Sequence, residues 1–175
     1  MPNLRFKNFK NKWKHLQIRE ILKTVGFQSY QKSPEHYGDF PIIQQGNNAI
    51  QGYADGSPFW KYKDIIIFGD HTLSLYKPQK PFFIASDGIR LLRSMNEINI
   101  DYLFFLLEKN MPAPEEYKRH FSIISEIYVS LTLNTLEQQK IANFFIQLDN
   151  LISLQSKKVQ KLKDIKNGCL NKMFV

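Results

Sequence analysis

The feature that most constrains how this sequence can fold is a heptad pattern of mainly apolar residues near its C-terminal end. Two series of positions repeat every seven residues and would form one stripe along an α-helix. The series comprise Ile141, Leu148, Gln155 and Leu162, and then Phe144, Leu151 and Ile165. Gln155 and Lys158 place polar side chains in this stripe, where such residues fix register and pairing at some cost in stability.

The length of this pattern predicts a helix that needs a partner. Thr135 and Gln138 match a capping box, which predicts that the helix begins there. About 38 residues at about 1.5 Å per residue give a helix about 57 Å long. One compact domain of this size cannot cover such a length, so we expect the stripe to pair with a helix from another copy or another protein. The alternative is an amphipathic helix folded onto its own domain.

Before position 135 the sequence is typical of a small mixed domain. Short apolar runs bounded by glycine, proline and Asp-Gly pairs predict strands. These runs cover residues 65–68, 73–76, 82–85 and 89–92, with a further strand within 123–131. Dense apolar residues at 100–110, stopped by prolines, predict a core helix, and residues 18–25 predict a shorter one. The expected fold class is α+β: a small mixed α/β domain at 1–134, followed by a long helix at 135–175 that pairs as an antiparallel coiled coil.

The net charge of +8 is distributed unevenly. Residues 1–33 carry a net +7, residues 34–135 a net −3, and residues 136–175 a net +4. A basic chain favours an anionic partner, nucleic acid before membrane, although a solvated lysine surface is the alternative. Because the middle segment is acidic, base recognition there would have to use uncharged polar groups.

The sequence offers little for catalysis or metal binding. Cys169 is the only cysteine, and the four histidines lack the spacing of zinc ligands. Asp70 and His71 are neighbours after a predicted strand, and we interpret them as a polar loop rather than a catalytic pair. Phe59 and Trp60 are interpreted as packed aromatics at a turn. We therefore expect no enzyme activity, no cofactor and no metal in this chain.

No apolar run approaches the roughly 18 residues that a membrane span needs, and the basic N-terminus has no apolar stretch behind it. These features predict a cytoplasmic protein that does not bind membranes.

A set of neutral polar residues suits the recognition of DNA bases. Glutamine and asparagine amides can bond to adenine edges in the major groove, and lysines can reach phosphates. The candidate base-contacting residues are Gln44, Gln45, Asn47, Gln51, Tyr53, His71, Thr72 and Tyr76, and the candidate phosphate-contacting residues are Lys61, Lys63 and Lys77. An ordinary polar loop is the alternative, since these residue types also favour turns.

Several stretches in a fixed order resemble one protein family. Residues 65–78 read IIIFGDHTLSLYKP, followed by PFFI at 81–84 and DGI at 87–89. The opening PNLRF at 2–6 with Trp13, the LEQQKIA segment at 136–142 and the Met173-Phe174 end complete the pattern. Together they resemble a specificity subunit of type I restriction–modification systems, with the target-recognition domain first and the conserved helical spacer after it.

The chain departs from this family in two ways. The family's spacer usually opens with prolines, whereas residues 131–135 read LTLNT. Full-length members carry two recognition domains and two spacers, whereas this sequence has one of each and looks like a half subunit.

The resemblance implies a non-catalytic protein with several partners. These are double-stranded DNA with a bipartite target, the modification (methyltransferase) and restriction subunits, and a second copy bound through residues 135–173. A protein-interaction module on a coiled coil, without DNA binding, is the alternative function, and an enzyme acting alone is a further one.

Overall fold

A computed structural model describes residues 2–114 and 119–174, and these residues form nine strands and three α-helices. The strands are β1 (Lys14–Gln17), β2 (Leu22–Val25), β3 (Phe40–Ile43), β4 (Ile50–Ala54), β5 (Ile66–Gly69), β6 (Leu75–Tyr76), β7 (Phe83–Ile84), β8 (Ile89–Ser94) and β9 (Tyr128–Leu131). The helices are α1 (Ile100–Lys109), α2 (His120–Glu126) and α3 (Thr135–Met173), and short 3₁₀ turns occupy Ile18–Glu20, Gln28–Tyr30 and Tyr62–Asp64.

The strands form three small sheets. One is antiparallel with the order β2-β8-β5-β6, and a second has the order β4-β3-β7. In the second sheet β3 pairs antiparallel with β4 and parallel with β7. The third joins β1 to β9. Strand β5 lies inside its sheet and is buried along its whole length, which explains its unbroken apolar run.

Strands β3, β5, β7 and β8 contribute to the main apolar core. Its buried side chains are Phe27, Ile43, Phe59, Ile65, Ile67, Phe82, Ile84, Ile89 and Leu91. Complete burial of an apolar side chain of this size stabilises a fold by about 1.5–3 kcal/mol. The core therefore holds the ends of β3, β5 and β8 in fixed relative positions.

One of the predicted elements is wrong. Residues 18–25 were expected to be helical, but a 3₁₀ turn ends at Glu20 and β2 follows, pairing antiparallel with β8. Strand pairing overrides the local helical pattern here. Within 123–131, residues up to Glu126 belong to α2, and only Tyr128–Leu131 form a strand. That strand alternates as predicted, with Val129 and Leu131 buried.

The predicted capping box of α3 is also wrong. The cap is Asn134, whose side-chain oxygen accepts the backbone N–H of Glu137 at 2.9 Å. Gln138 is buried instead of closing a cap: its Oε1 accepts from the backbone N–H of Asn99 at 2.9 Å, and its Nε2 donates to the Thr132 carbonyl at 2.8 Å. Asparagine is preferred over threonine as an N-cap residue. The buried amide of Gln138 forms hydrogen bonds with two backbone groups.

Two compact units divide the chain, Met1–Gln139 and Lys140–Val175. The first contains all the sheets, and the second contains most of α3. Helix α3 has 39 residues, or about 58 Å at about 1.5 Å per residue. The predicted α+β class, a mixed domain followed by a long C-terminal helix, is confirmed. In the part of the chain that is described, no helix combines the length and apolar character needed to span a bilayer.

Candidate nucleic-acid interface

Three loops lie close together in the part of the chain before α3, which we call the β-rich region. Residues 44–49 follow β3, residues 70–74 follow β5, and residues 85–88 lie between β7 and β8. Since β3 and β7 are parallel, with Ile43 opposite Ile84, the first and third loops start at the same end of one sheet. Gly69 at the end of β5 lies opposite Ile89 at the start of β8, which brings the second and third loops together. We call these three loops the loop cluster.

Hydrogen bonds connect the three loops to each other. The Gln45 side-chain oxygen accepts the backbone N–H of His71 at 3.1 Å. The N–H of Gly46 donates to the Ser74 hydroxyl at 2.9 Å. The N–H of Asp70 donates to the Gly88 carbonyl at 2.9 Å, which ties the second loop to the third. The loop cluster is therefore one bonded unit.

Two glycines allow the loops to approach this closely. A Cβ atom on Gly69 would lie 2.5 Å from the Thr72 hydroxyl oxygen and 2.8 Å from the Cβ of Gln45. On Gly88, the three nearest atoms to an added Cβ all belong to the Gln45 amide. The Gln45 side chain thus occupies the space beside Gly88, and it shares the space beside Gly69 with the Ser74 and Thr72 hydroxyls.

Five of the predicted base-contacting residues lie in this cluster. Asn47, His71 and Thr72 are exposed, and Gln45 is half-buried between them and the glycines. Gln44 lies in the same loop, where its Nε2 donates to the carbonyl of Asn48 at 2.9 Å and closes the loop on itself.

Gln51, Tyr53 and Tyr76 lie outside the cluster. The pairing of β4 with β3 passes from Gly52 to Ile50, so Gln51 is the extra residue of a β-bulge, and its side chain is exposed. The Lys80 ammonium lies 5.1 Å from the centre of the Tyr53 ring. Burial raises the pKa of Tyr76, and the neighbouring Tyr53 raises it further.

The three predicted phosphate-contacting lysines are not part of the cluster either. Lys61 and Lys63 are exposed and precede β5, at the end of that strand opposite to Gly69. Lys77 forms an ion pair with Asp101 in the first turn of α1. The cluster itself therefore presents mainly neutral polar groups, as the acidic middle segment indicated.

Several further residues at this site were not predicted from the sequence. Ser74 accepts the backbone N–H of Gly46, the third residue of the loop after β3, and Asp87 accepts from the Gln31 amide at 2.5 Å. Asn48 is exposed beside Asn47. The Asp-Gly pair at 87–88 predicts a turn. Only the order of the strands shows that this turn lies next to the other two loops.

Asp70 and His71 are neighbours in sequence but have different surroundings in the structure. Asp70 is buried, and its carboxylate accepts from Arg90 at 3.1 Å and from the N–H of Phe121 at 2.8 Å. His71 is exposed in the loop cluster. This agrees with the interpretation of the pair as a polar loop at the end of a strand.

The exposed groups of the cluster match the chemistry of base edges. Amide, hydroxyl and imidazole groups offer both donors and acceptors, which is what the major groove of DNA presents in return. Among residues 2–114 and 119–174, no group of three or more His, Cys, Asp or Glu side chains is placed to hold a metal ion.

The sequence matches a known family over most of its length. The profile of the family described as "Type I restriction modification DNA specificity domain" matches residues 10–164. No protein of curated function shows significant sequence similarity to this chain.

Solved structures share the fold. The S subunit of a type I restriction–modification system from M. genitalium has a TM-score of 0.67 at 17% identity, over 99% of this chain and 48% of that one. A chain from a structural study of complex assembly and conformational transition in the type I R-M system has a TM-score of 0.61 at 14% identity, over 94% and 46%. The HsdS subunit from Thermoanaerobacter tengcongensis has a TM-score of 0.52 at 14% identity, over 99% and 47%.

This chain therefore spans about half the length of each of these solved proteins. The family match covers well over half of the chain, and the fold similarity covers nearly all of it. The chain belongs to the family of type I restriction modification DNA specificity domains.

Proposed function

We propose that this chain is a non-catalytic DNA-specificity subunit that recognises double-stranded DNA with its loop cluster. The observation that carries the proposal is the convergence of three hydrogen-bonded loops that expose Asn47, His71 and Thr72 together. Loops held on a rigid scaffold are where binding residues concentrate. Neutral donors and acceptors in one place can distinguish base pairs in the major groove.

Phosphate contacts would come from outside the cluster. The residues between 34 and 135 carry a net charge of −3, whereas residues 1–33 carry +7. Phosphate contacts supply affinity and orientation but carry no sequence information directly. In this division the N-terminal lysines, together with Lys61 and Lys63, supply affinity, and the loop cluster supplies selectivity.

Helix α3 would pair with the same helix of a second copy. Leu148, Leu151, Leu162 and Ile165 expose 37–58% of their surface along the heptad stripe. The proposed pairing residues are Ile141, Phe144, Leu148, Leu151, Gln155, Leu162 and Ile165. Gln155 would set the register, because a polar residue in an apolar seam is satisfied in few alignments.

An antiparallel pair has a consequence for the DNA target. Since α3 begins where the β-rich region ends, the two recognition domains would be attached at opposite ends of the helix pair. A helix of about 58 Å corresponds to about one and a half turns of B-DNA at about 34–36 Å per turn. Two copies related by a two-fold axis would recognise inverted half-sites separated by base pairs that neither domain contacts.

Methyl transfer and cleavage would be supplied by modification and restriction subunits that dock on this dimer. The fold similarity to a chain studied for assembly of the type I R-M system supports this part of the proposal.

The proposal is tested by selection from duplex DNA with a randomised segment, using the purified chain. We expect enrichment of one short sequence, and we expect Asn47→Ala with Thr72→Ala to abolish it. Gln79→Ala is the matched control, because this amide is exposed between β6 and β7, outside the cluster. Binding without any sequence preference would contradict the proposal, and no binding would favour the protein-interaction module instead.

A further inference from the structure

We propose that Gln45 does not contact a base but positions the three DNA-reading loops relative to one another. This inference rests on the proposed function, because it assigns a role within the same loop cluster. Gln45 would thus differ in role from the exposed residues around it, although the sequence pattern places all of them among the candidate base contacts.

The contacts of Gln45 are directed into the protein. Its Oε1 accepts the N–H of His71, and its amide lies against Gly88. Its Cβ lies within 2.8 Å of the position that a Cβ of Gly69 would take. An adenine contact of the usual kind uses both the oxygen and the nitrogen of one amide. In Gln45 the oxygen already accepts from the His71 N–H, and the nitrogen packs beside Gly88, within the space that a Cβ there would need.

The position of Gln45 in the topology makes it a link between all three loops. It belongs to the loop after β3, bonds to the loop after β5, and packs on the loop before β8. A small displacement of one loop would move the donors and acceptors of the others. Selectivity of the cluster is therefore collective, and loss of Gln45 should weaken recognition at every base pair of the half-site.

The packing part of this inference is tested without DNA, by a double-mutant cycle. Because the three nearest atoms to a Cβ on Gly88 all belong to the Gln45 amide, Gly88→Ala should displace that amide from the His71 N–H. We expect Gly88→Ala to lower the urea midpoint of unfolding, and we expect this shift to shrink when Gln45→Ala is also present. Equal shifts in the two backgrounds would overturn the inference.

A third variant separates the hydrogen bond from the packing. Gln45→Met fills a similar volume but offers no good acceptor to the His71 N–H. We expect faster hydrogen exchange at the His71 amide in Gln45→Met, with a smaller loss of urea stability than in Gln45→Ala. Unchanged exchange at that amide would contradict the role of the hydrogen bond in holding the second loop.

The recognition part is tested by repeating the randomised-duplex selection with Gln45→Ala and Asn47→Ala. We expect Gln45→Ala to lower affinity for the wild-type sequence by about tenfold while the preferred base at each position stays the same. Asn47→Ala should change preference at one position. A change confined to one position in Gln45→Ala would make Gln45 a direct reader and overturn the proposal. No preference in the wild-type chain would contradict the proposed function, and the stability cycle would still decide the packing role of Gln45.

Discussion

The guanidinium of Arg5 forms a two-point ion pair with the carboxylate of Glu137, Nε to Oε1 at 2.6 Å and Nη2 to Oε2 at 2.8 Å. The Glu137 side chain is completely buried, and the Thr132 hydroxyl donates to the same carboxylate at 2.7 Å. This contact joins the N-terminal segment to the first turn of α3, across 132 positions of sequence.

We expect Arg5→Ala to destabilise the β-rich region more than Arg19→Ala does. Arg19 forms an ion pair of similar length, 2.8 Å, with Glu126, but both of those side chains are more than half exposed. Removing Arg5 leaves a buried carboxylate without its cation, whereas exposed pairs contribute little. Urea unfolding of the two variants measures the difference. Equal shifts in midpoint would show that the Arg5 pair acts like a surface contact.

Stability should also depend on the protonation of Glu137. The hydrogen bond from Arg5 holds the pKa of Glu137 below its ordinary value of 4.5. A carboxyl with a lowered pKa in the folded state stabilises that state above its ordinary pKa, and the contribution is lost as the pH falls through the folded value.

We therefore expect the free energy of unfolding to fall as the pH decreases below 4.5, and to fall less in Glu137→Gln. Urea titrations at neutral and acidic pH measure both proteins. If the variant and the wild type lose the same amount of stability in acid, Glu137 is not the group responsible.

Pairing through α3 should depend on the heptad stripe. Leu151→Lys removes an apolar side chain from each of the two copies and places two charges in the seam. At about 1.5–3 kcal/mol per buried side chain, we expect the dimer dissociation constant to rise at least about a hundredfold. Asn150→Lys adds the same charge off the stripe and should leave the dimer intact. Light scattering at micromolar concentration tests this, and a wild-type monomer would refute the pairing.

Residues inside and outside the loop cluster should affect DNA binding differently. Asn47→Ala should cost about 1–3 kcal/mol of discrimination at one base pair. Lys61→Ala, at the other end of β5, should leave sequence preference unchanged and reduce the salt dependence of affinity if it contacts a phosphate. Competition binding between the selected duplex and its single-base variants separates the two effects. A change in preference on losing Lys61 would mean that the cluster is not the reading surface.

The sequence predicted elements well where the pattern was long or fully apolar. The run ending at Phe68 predicted β5, and the periodic stretch from position 135 predicted α3. It failed where tertiary pairing decides the conformation. Leu22–Val25 becomes a strand because β8 lies beside it, which local sequence does not show.

The candidate site shows the same limit. Asn47 and His71 belong to segments 24 positions apart. The parallel pairing of β3 with β7 and the antiparallel pairing of β5 with β8 place both of their loops beside residues 85–88. Composition indicated suitable chemistry but could not separate Asn47, which is exposed, from Gln45, which is bonded to the next loop. Gln45 differs from Asn47 because it packs against Gly69 and Gly88. The sequence does not show that these two glycines lie beside it.

The most direct test of the central claim is to co-express the chain with a type I modification subunit and map methylated positions across genomic DNA. We expect methylation at one bipartite sequence whose two halves are inverted copies, and we expect the pattern to disappear with Asn47→Ala plus Thr72→Ala. Methylation at a non-palindromic sequence would contradict the symmetric dimer. An identical methylation pattern with and without the loop substitutions would contradict DNA recognition by the loop cluster.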